Sequence, residues 1–132
     1  MDYFRLNRSA DEIRAVSNLG LAHVGDCVFE LMVRSWLCIH GKATNRGVHK
    51  ATVKFVAAPA QAAAAAKIVP LLSEEEADVF RRGRNSSPHT IPKAASREEY
   101  QMATALEALF GYLWLKGENE RLNELFEIMM EE

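Results

Sequence analysis

The sequence predicts an all-α fold, and two observations support this fold class. The pattern Ser-x-x-Glu, in which the serine and glutamate side chains satisfy free backbone amides at a helix start, occurs at residues 9–12, 73–76 and 96–99. No segment sustains the apolar–polar alternation of a strand between turn residues. We therefore expect about seven helices in a single domain that spans residues 1–132.

Three helices are predicted in the first half of the chain. The first follows the capping box at residue 9, and the second begins at Asn18 or Gly20 and ends at Gly41. This second helix is apolar on more than one face, which predicts a central position in the fold. Thr44 can cap the third helix, which extends through Val56.

Four further helices are predicted in the second half. Pro59 suits the first turn of an alanine-rich helix that runs through Leu71. The capping boxes at residues 73 and 96 start the next two helices, and Gly117 ends the second of these. The last helix covers residues 118–130, and the only long irregular stretch is residues 85–93.

The composition is typical of a globular protein in water, with 48% hydrophobic and 26% charged residues. The longest apolar run is far shorter than the roughly 18 residues that a membrane span requires. The first residues lack the apolar core of a signal peptide. We therefore expect no membrane partner and a cytoplasmic location.

The net charge of −2 conceals a strong segregation of charge along the chain. No acid occurs in residues 31–73 or 79–97, and eleven of the 16 Lys and Arg residues fall in these two segments. The acids collect in residues 74–78 and 118–132. One face of the fold is therefore expected to be basic, as in proteins that bind nucleic acid.

Two cysteines, Cys27 and Cys38, fall on the same face of the second predicted helix. At the helical rise per residue they lie about 16 Å apart, which is too far for a disulfide. We expect both to be reduced thiols in the core.

Two lone acids stand in otherwise apolar helical segments. Asp26 lies within residues 21–30, and Glu107 lies within residues 102–115. Such segments normally exclude unpaired charge, so each acid needs a partner. An arginine or a capping amide would make them structural residues, whereas a divalent cation between them would make them a metal site.

Three motifs resemble those of the ribonuclease III family. They are the segment around Gly25 and Asp26, the basic segment at residues 81–85, and the segment of residues 104–113 around Glu107. In order and spacing they are most similar to the short bacterial branch, Mini-ribonuclease III, which lacks a double-stranded-RNA-binding domain. The resemblance spans residues 19–115 and leaves no length for such a domain.

This resemblance implies a ribonuclease III-type endonuclease domain that acts as a homodimer. It implies Mg²⁺-dependent cutting of double-stranded RNA to 5′-phosphate and 3′-hydroxyl ends, and for the short branch maturation of large-subunit (23S) ribosomal RNA precursors. Asp26 and Glu107 match the family's catalytic, metal-binding acids. Ala22, Thr104 and Ala58 stand where the long enzymes have further acids, so one Mg²⁺ is expected rather than two.

Glu30 is a further candidate at the metal site. It lies one helical turn beyond Asp26 and would reach the cation through a water molecule. The simpler interpretation is an ion pair with Arg34, four residues farther along the same helix.

The candidate RNA-binding residues form two groups. The first group flanks the irregular stretch and includes the family's basic motif: Arg81, Arg82, Arg84, Asn85 and Lys93. The second and weaker group lies near the start of the third helix: Arg46, His49 and Lys50. Positive side chains there would bind phosphates, although cations also favour helix C-termini for structural reasons.

A homodimer interface is implied by the resemblance on the second helix, where apolar residues are in excess: Leu19, Leu21, Val24, Val28 and Met32. The same residues would serve equally well in the core of a monomer. A ribosomal protein or a preribosomal particle is a candidate partner, since a protein with no separate RNA-binding domain needs another source of affinity. The alternative functions are a non-catalytic RNA-binding ribosome-assembly factor and a helical interaction module, of which the second leaves the basic segments unexplained.

Overall fold

The computed structural model describes residues 1–41, 47–86 and 95–131. Within these ranges the chain forms seven α-helices, one 3₁₀ turn and no strand, so the predicted all-α fold is confirmed. None of these helices has the length and hydropathy to cross a membrane. The helices are α1 (Ala10–Arg14), α2 (Asn18–Ile39), α3 (Val48–Val56), α4 (Ala58–Ile68), α5 (Glu74–Asn85), α6 (Arg97–Lys116) and α7 (Asn119–Met130).

The helix ends follow local capping chemistry. All three predicted capping boxes are present, at the starts of α1, α5 and α6. The cap of α2 is Ser17, one residue before the predicted start, and its hydroxyl accepts a 2.9 Å hydrogen bond from the backbone N–H of Gly20. Gly117 ends α6 as predicted, with a left-handed φ of 83°.

Two helices of the central segment differ from the predicted ones. The helix α3 begins at Val48, and its predicted cap Thr44 lies outside the described residues. The alanine-rich helix α4 ends at Ile68, and residues Val69–Leu71 form the 3₁₀ turn. Pro70 explains this early end, because it has no backbone N–H to continue the α-helical ladder.

The central helix of the fold is α6, not α2 as the sequence suggested. Every residue of α6 from position 103 to 113 is buried except Glu107. It contacts α1, α2, α4, α5 and α7. An apolar helix with no water-facing side in its middle must lie inside the bundle, and α2 instead keeps one side toward solvent.

The helices α2 and α6 approach each other so closely that only glycine fits at two positions. A Cβ atom on Gly25 would lie 1.6 Å from the backbone oxygen of Glu107. A Cβ atom on Gly111 would lie 1.9 Å from the backbone oxygen of Leu21. The two backbones are therefore in direct contact, and this contact fixes how residues on either side of it face one another.

Neighbouring helices pack onto this pair. A Cβ atom on Gly83 of α5 would lie 2.7 Å from the Cβ of Ala108, so α5 also approaches α6 closely. The ring of Phe29 packs edge-on against Phe110 and Phe126, with centroids 5.6 Å and 6.1 Å away. These contacts tie α2, α6 and α7 into one core.

The residues predicted for a dimer interface divide into two sets. Leu21 and Val28 are only 2% and 8% exposed and belong to the core, because they face α6 and its neighbours. Leu19 is exposed, and Val24 and Met32 are partly buried. A charge at Leu21 would therefore disrupt the fold itself and cannot report on an interface.

The cysteines are not in the core, contrary to the prediction. Both Cys27 and Cys38 are exposed free thiols. They lie on the side of α2 that faces away from α6, a face that the apolar sequence alone did not distinguish from the buried one. The absence of a disulfide between them agrees with the helical spacing.

The close contact at Gly25 predicts that one added methyl group will strongly lower the free energy of unfolding. Gly25→Ala should destabilise the protein by about 3 kcal/mol, because the two helices must separate to admit the new Cβ. Gly20→Ala is the matched control on the same helix, since its Cβ would meet only side-chain atoms at 3.0 Å. Urea unfolding would measure both, and equal stability of the two variants would contradict the close contact.

Candidate active site

Asp26 and Glu107 meet where α2 and α6 cross. Asp26 directly follows Gly25, and the backbone oxygen of Glu107 is the atom that approaches Gly25 most closely. The two carboxyl groups lie close enough to share a hydrogen bond. Asp26 is exposed, whereas Glu107 is half-buried. The fold therefore brings together the two lone acids of the sequence and leaves one side of the pair open to solvent.

The surroundings of Glu107 raise its pKa to about 8. Burial is the main cause, followed by the negative charge of Asp26 and the hydrogen bond between the two carboxyl groups. A hydrogen bond with the side chain of Gln61 acts in the opposite direction and lowers this pKa. At pH 7 the acid pair therefore retains a proton, which a divalent cation would displace.

The residue that sequence reasoning missed is Gln61 in α4. Its side chain is only 1% exposed, and its amide lies within hydrogen-bonding reach of the Glu107 carboxylate. Ala58, the position at which the long enzymes were expected to have an acid, lines the same cavity of about 300 Å³. The side chain that reaches Glu107 from this helix is therefore at position 61, not at position 58.

A signal for Gln61 was present in the sequence. It is the only polar side chain between Ala57 and Ala66, and a polar residue within such an alanine-rich segment needs a partner when the helix is buried. The partner could not be identified from the sequence, since Glu107 lies far away along the chain.

The acid pair suits a single hard divalent cation. Mg²⁺ binds oxygen ligands and usually takes one or two protein carboxylates, with water and phosphate oxygens in the other positions. In the part of the chain that the structure describes, no three His, Cys, Asp or Glu residues form a metal-binding group. Two carboxylates are therefore the charged ligands available, and they fit Mg²⁺ bound mainly by water and substrate.

Glu30 has a different partner in the structure. Its carboxylate pairs with the guanidinium of Arg34 at 3.1 Å, and both side chains are well exposed. This is the simpler of the two interpretations drawn from the sequence. A contact with the cation through water stays a prediction.

The first group of candidate RNA-binding residues lies at the C-terminal end of α5. Arg81, Arg82, Arg84 and Asn85 are all exposed there. Asp78, one turn earlier, pairs with Arg81 and also with Arg82, the latter at 3.1 Å. The sequence is free of acids from residue 79 to residue 97, but the helix turns bring the Asp78 carboxylate onto the same surface, so part of the positive charge of this segment is neutralised.

The two candidate groups are on helices that pack at opposite ends of α2. The side chain of Asn18 donates a 3.0 Å hydrogen bond to Ser86, which holds the end of α5 at the start of α2. Phe55 of α3 packs on Trp36 near the other end of α2, with ring centroids 5.9 Å apart. His49 and Lys50 are exposed at the start of α3, while Arg46 and Lys93 lie outside the described residues. Asp26 is situated between these two ends.

An all-helical domain in which an acid pair lies between two basic ends has the features of a nuclease that acts on phosphodiesters. The model of the family described as Ribonuclease III domain matches residues 19–118, most of the chain. The chain therefore belongs to the ribonuclease III family, as the three sequence motifs suggested.

Individual relatives agree with this assignment. Mini-ribonuclease 3 of Thermoanaerobacter sp. (strain X514) is 43% identical over 119 residues, which are 90% of this chain and 84% of the relative. Mini-ribonuclease 3 of Clostridium tetani is 40% identical over 121 residues, 90% of this chain and 80% of the relative. A crystal structure of a Fusobacterium nucleatum protein superposes with a TM-score of 0.79 at 32% identity, and covers 86% of this chain and 93% of that one. These matches support a ribonuclease role.

The raised pKa of Glu107 predicts how stability changes with pH when no cation is bound. Because the unfolded state releases this proton near pH 4.5 and the folded state only near pH 8, stability should fall between these values. Glu107→Gln removes this loss, and its free energy of unfolding should gain about 3 to 4 kcal/mol relative to the native chain between pH 5 and pH 8.

Urea unfolding in the presence of a chelator would measure this difference. Glu98→Gln, an exposed acid in the first turn of the same helix, is the matched control and should follow the native chain. Parallel stability curves for the native chain and Glu107→Gln across this pH range would contradict the prediction.

Proposed function

We propose that the protein is a Mg²⁺-dependent endoribonuclease that cuts double-stranded RNA and leaves 5′-phosphate and 3′-hydroxyl ends. The observation that supports this most directly is the contact between Asp26 and Glu107 at the crossing of α2 and α6. An acid pair that retains a proton in the absence of a cation, and that opens to solvent on the Asp26 side, is suited to bind a divalent cation at a surface where RNA can approach.

The two acids have different parts in this mechanism. Glu107 is held by its half-buried position, and exposed Asp26 completes the ligand pair at the protein surface. A divalent cation held by these two residues would lower the pKa of a bound water and would neutralise charge on the scissile phosphate. With such a site no side chain needs to act as the nucleophile. The other residues of the site then need only to bind the RNA backbone beside the acids.

The basic side chains at the end of α5 and the start of α3 bind the RNA backbone and place it beside the acids. They are exposed and lie toward opposite ends of the helix that bears Asp26, so a duplex bound to both would pass over the acid pair. Contacts of this kind are to phosphates and 2′-hydroxyls, which are the same for every base pair. We therefore expect recognition of duplex shape and little preference for sequence.

The active form is proposed to be a homodimer joined through the outer face of α2. Val24, Cys27 and Leu31 of this face line one shallow depression of about 330 Å³ together with Phe4 of the N-terminal segment and Trp114 of α6. Phe4 is 76% and Leu31 is 55% exposed, which is unusual for large apolar side chains in adjacent positions. A second copy of the chain would cover this surface and set two acid pairs on one duplex.

The natural substrate is proposed to be a precursor of large-subunit (23S) ribosomal RNA in the bacterial cytoplasm. The similarity to Mini-ribonuclease 3 proteins supports this proposal. Within residues 1–41, 47–86 and 95–131, part of the basic surface is paired with Asp78, so a ribosomal protein or preribosomal particle that presents the stem would add affinity.

A second candidate function is an RNA-binding ribosome-assembly factor that does not cut. One observation favours it: in the described ranges the charged ligands number two, and Gln61, which is beside Glu107, is neutral. Such a site binds a cation less strongly than one with more carboxylates.

A nuclease assay distinguishes the two functions. The protein would be incubated with 5′-labelled double-stranded RNA and with a ribosomal precursor stem, with and without Mg²⁺. Cutting should require Mg²⁺, and Asp26→Asn or Glu107→Gln should reduce it at least about a thousandfold because each removes a metal ligand. Glu98→Gln, an exposed acid on α6 away from the site, should cut normally.

The outcome decides between the candidates. Products with 5′-phosphate ends that both site variants abolish would establish the nuclease. Binding without cutting, on the free stem and on precursor particles alike, would establish the assembly factor and overturn our proposal.

The dimer can be tested through Leu31. Leu31→Glu places a charge on the exposed apolar face and should give a folded monomer with little activity, since the residue contributes nothing to the core. Val69→Glu, another exposed apolar residue but in the 3₁₀ turn, should leave the dimer intact. Sedimentation would give the masses and circular dichroism the helix content, and a dimeric, active Leu31→Glu protein would rule out this interface.

A further inference from the structure

Gln61 occupies a position where a polar side chain is costly. It lies in α4, on the face that packs against α6, and it is 1% exposed. The residues around it in this helix are alanines and Pro59. An aliphatic side chain of similar volume would fill the same space without removing an amide from water.

The amide of Gln61 has two ends with different surroundings. One end lies beside the Glu107 carboxylate, since Gln61 and Glu107 line the same cavity of about 300 Å³. The other, the carbonyl oxygen Oε1, is buried and has no hydrogen-bond partner among the described residues. A buried polar atom without a partner lowers stability, so the contact with Glu107 is made at a cost to the fold.

Thr52 is a buried polar side chain whose hydrogen bond is made within its own helix. It is also 1% exposed, on α3, and its hydroxyl donates a 2.8 Å hydrogen bond to the backbone oxygen of Val48. Thr52 therefore fits the local helix structure, whereas Gln61 is oriented toward an acid of another helix.

We infer that Gln61 is a positioning residue of the metal site, which holds the Glu107 carboxylate for the cation and, because its amide is neutral, limits the site to one divalent ion. This inference rests on the proposed function, since it requires that Asp26 and Glu107 bind a cation. The acid pair supplies two negative charges, which one divalent ion balances. A glutamate at position 61 would add a third charge in a buried place and favour a second ion or a tighter first one.

Residues that hydrogen-bond a metal ligand from behind fix its orientation, and their loss typically weakens metal binding about tenfold to hundredfold. The role of Gln61 can therefore be measured without RNA and without turnover. Mn²⁺ is the probe, because it prefers the same oxygen ligands as Mg²⁺ and can be counted by electron paramagnetic resonance.

Three variants separate positioning from packing. Gln61→Leu keeps the volume and removes the amide, Gln61→Glu adds a charge, and Thr52→Val removes a buried hydroxyl whose hydrogen bond lies within α3. Mn²⁺ affinity and stoichiometry would be measured for each, together with the melting temperature with and without Mn²⁺.

The native chain should bind one Mn²⁺ per protomer. Gln61→Leu should bind it about tenfold to hundredfold more weakly and show a smaller rise in melting temperature with Mn²⁺, while its cation-free form melts no lower than the native chain. Gln61→Glu should melt lower without cation, because three carboxyl groups then meet, and should bind Mn²⁺ more tightly. Thr52→Val should bind Mn²⁺ as the native chain does.

The results that overturn the inference are distinct from those that overturn the proposed function. If the native chain binds Mn²⁺ and Gln61→Leu binds it equally well, Gln61 only fills space and the inference fails alone. Two Mn²⁺ ions in the native chain would refute the limit on the number of ions. No Mn²⁺ binding by the native chain would overturn the metal-dependent nuclease together with this inference.

Discussion

The close contact between α2 and α6 is the constraint on which the rest of the structure depends. At Gly25 and Gly111 the two backbones touch, since a Cβ atom at either position would lie within 2 Å of the opposite backbone. Asp26 and Glu107 are the residues beside this contact, so their relative position is set by backbone atoms and not by flexible side chains. A site built on two touching helices is held more rigidly than one built on loops, and ligand geometry within a fraction of an ångström is what a metal site requires.

The same contact explains why the half-buried Glu107 can be kept at the crossing. Glu107 interrupts a run of α6 that is otherwise buried from position 103 to 113, and its pKa of about 8 shows that the folded state disfavours its charge. The unpartnered Oε1 of Gln61 adds to this cost. Both features lower the free energy of unfolding at the crossing. Packing nearby offsets this loss, through the aromatic contacts of Phe29 with Phe110 and Phe126 and through the glycine contacts between helices. Strain and unmet polar groups persist in folded proteins where surrounding packing fixes them.

Much of the fold was predictable because its signals are local. The three capping boxes and Gly117 act within a few residues, and each marks a helix end in the structure. The candidate acids were identified from their apolar context and from the family motifs. What could not be predicted depends on contacts between distant residues: that Gln61 faces Glu107, that α6 and not α2 is central, and that both cysteines are exposed. The pairing of Asp78 with Arg81 and Arg82 was also missed, because an acid-free segment in sequence need not be acid-free on the surface.

That pairing connects RNA binding to the proposed dimer. Affinity for a nucleic acid backbone grows with the number of phosphates that positive side chains neutralise, each one adding to the release of counterions. In the described part of one protomer, Arg81 and Arg82 already share a carboxylate, so these two arginines neutralise fewer phosphates than their number suggests. A two-fold dimer doubles the number of phosphates contacted on one duplex, and the logarithm of the binding constant rises in proportion. In the proposed dimer, the exposed apolar face of α2 and the partly neutralised basic end of α5 would belong to one arrangement: pairing of two chains would bury Phe4 and Leu31 and would add phosphate contacts on one duplex.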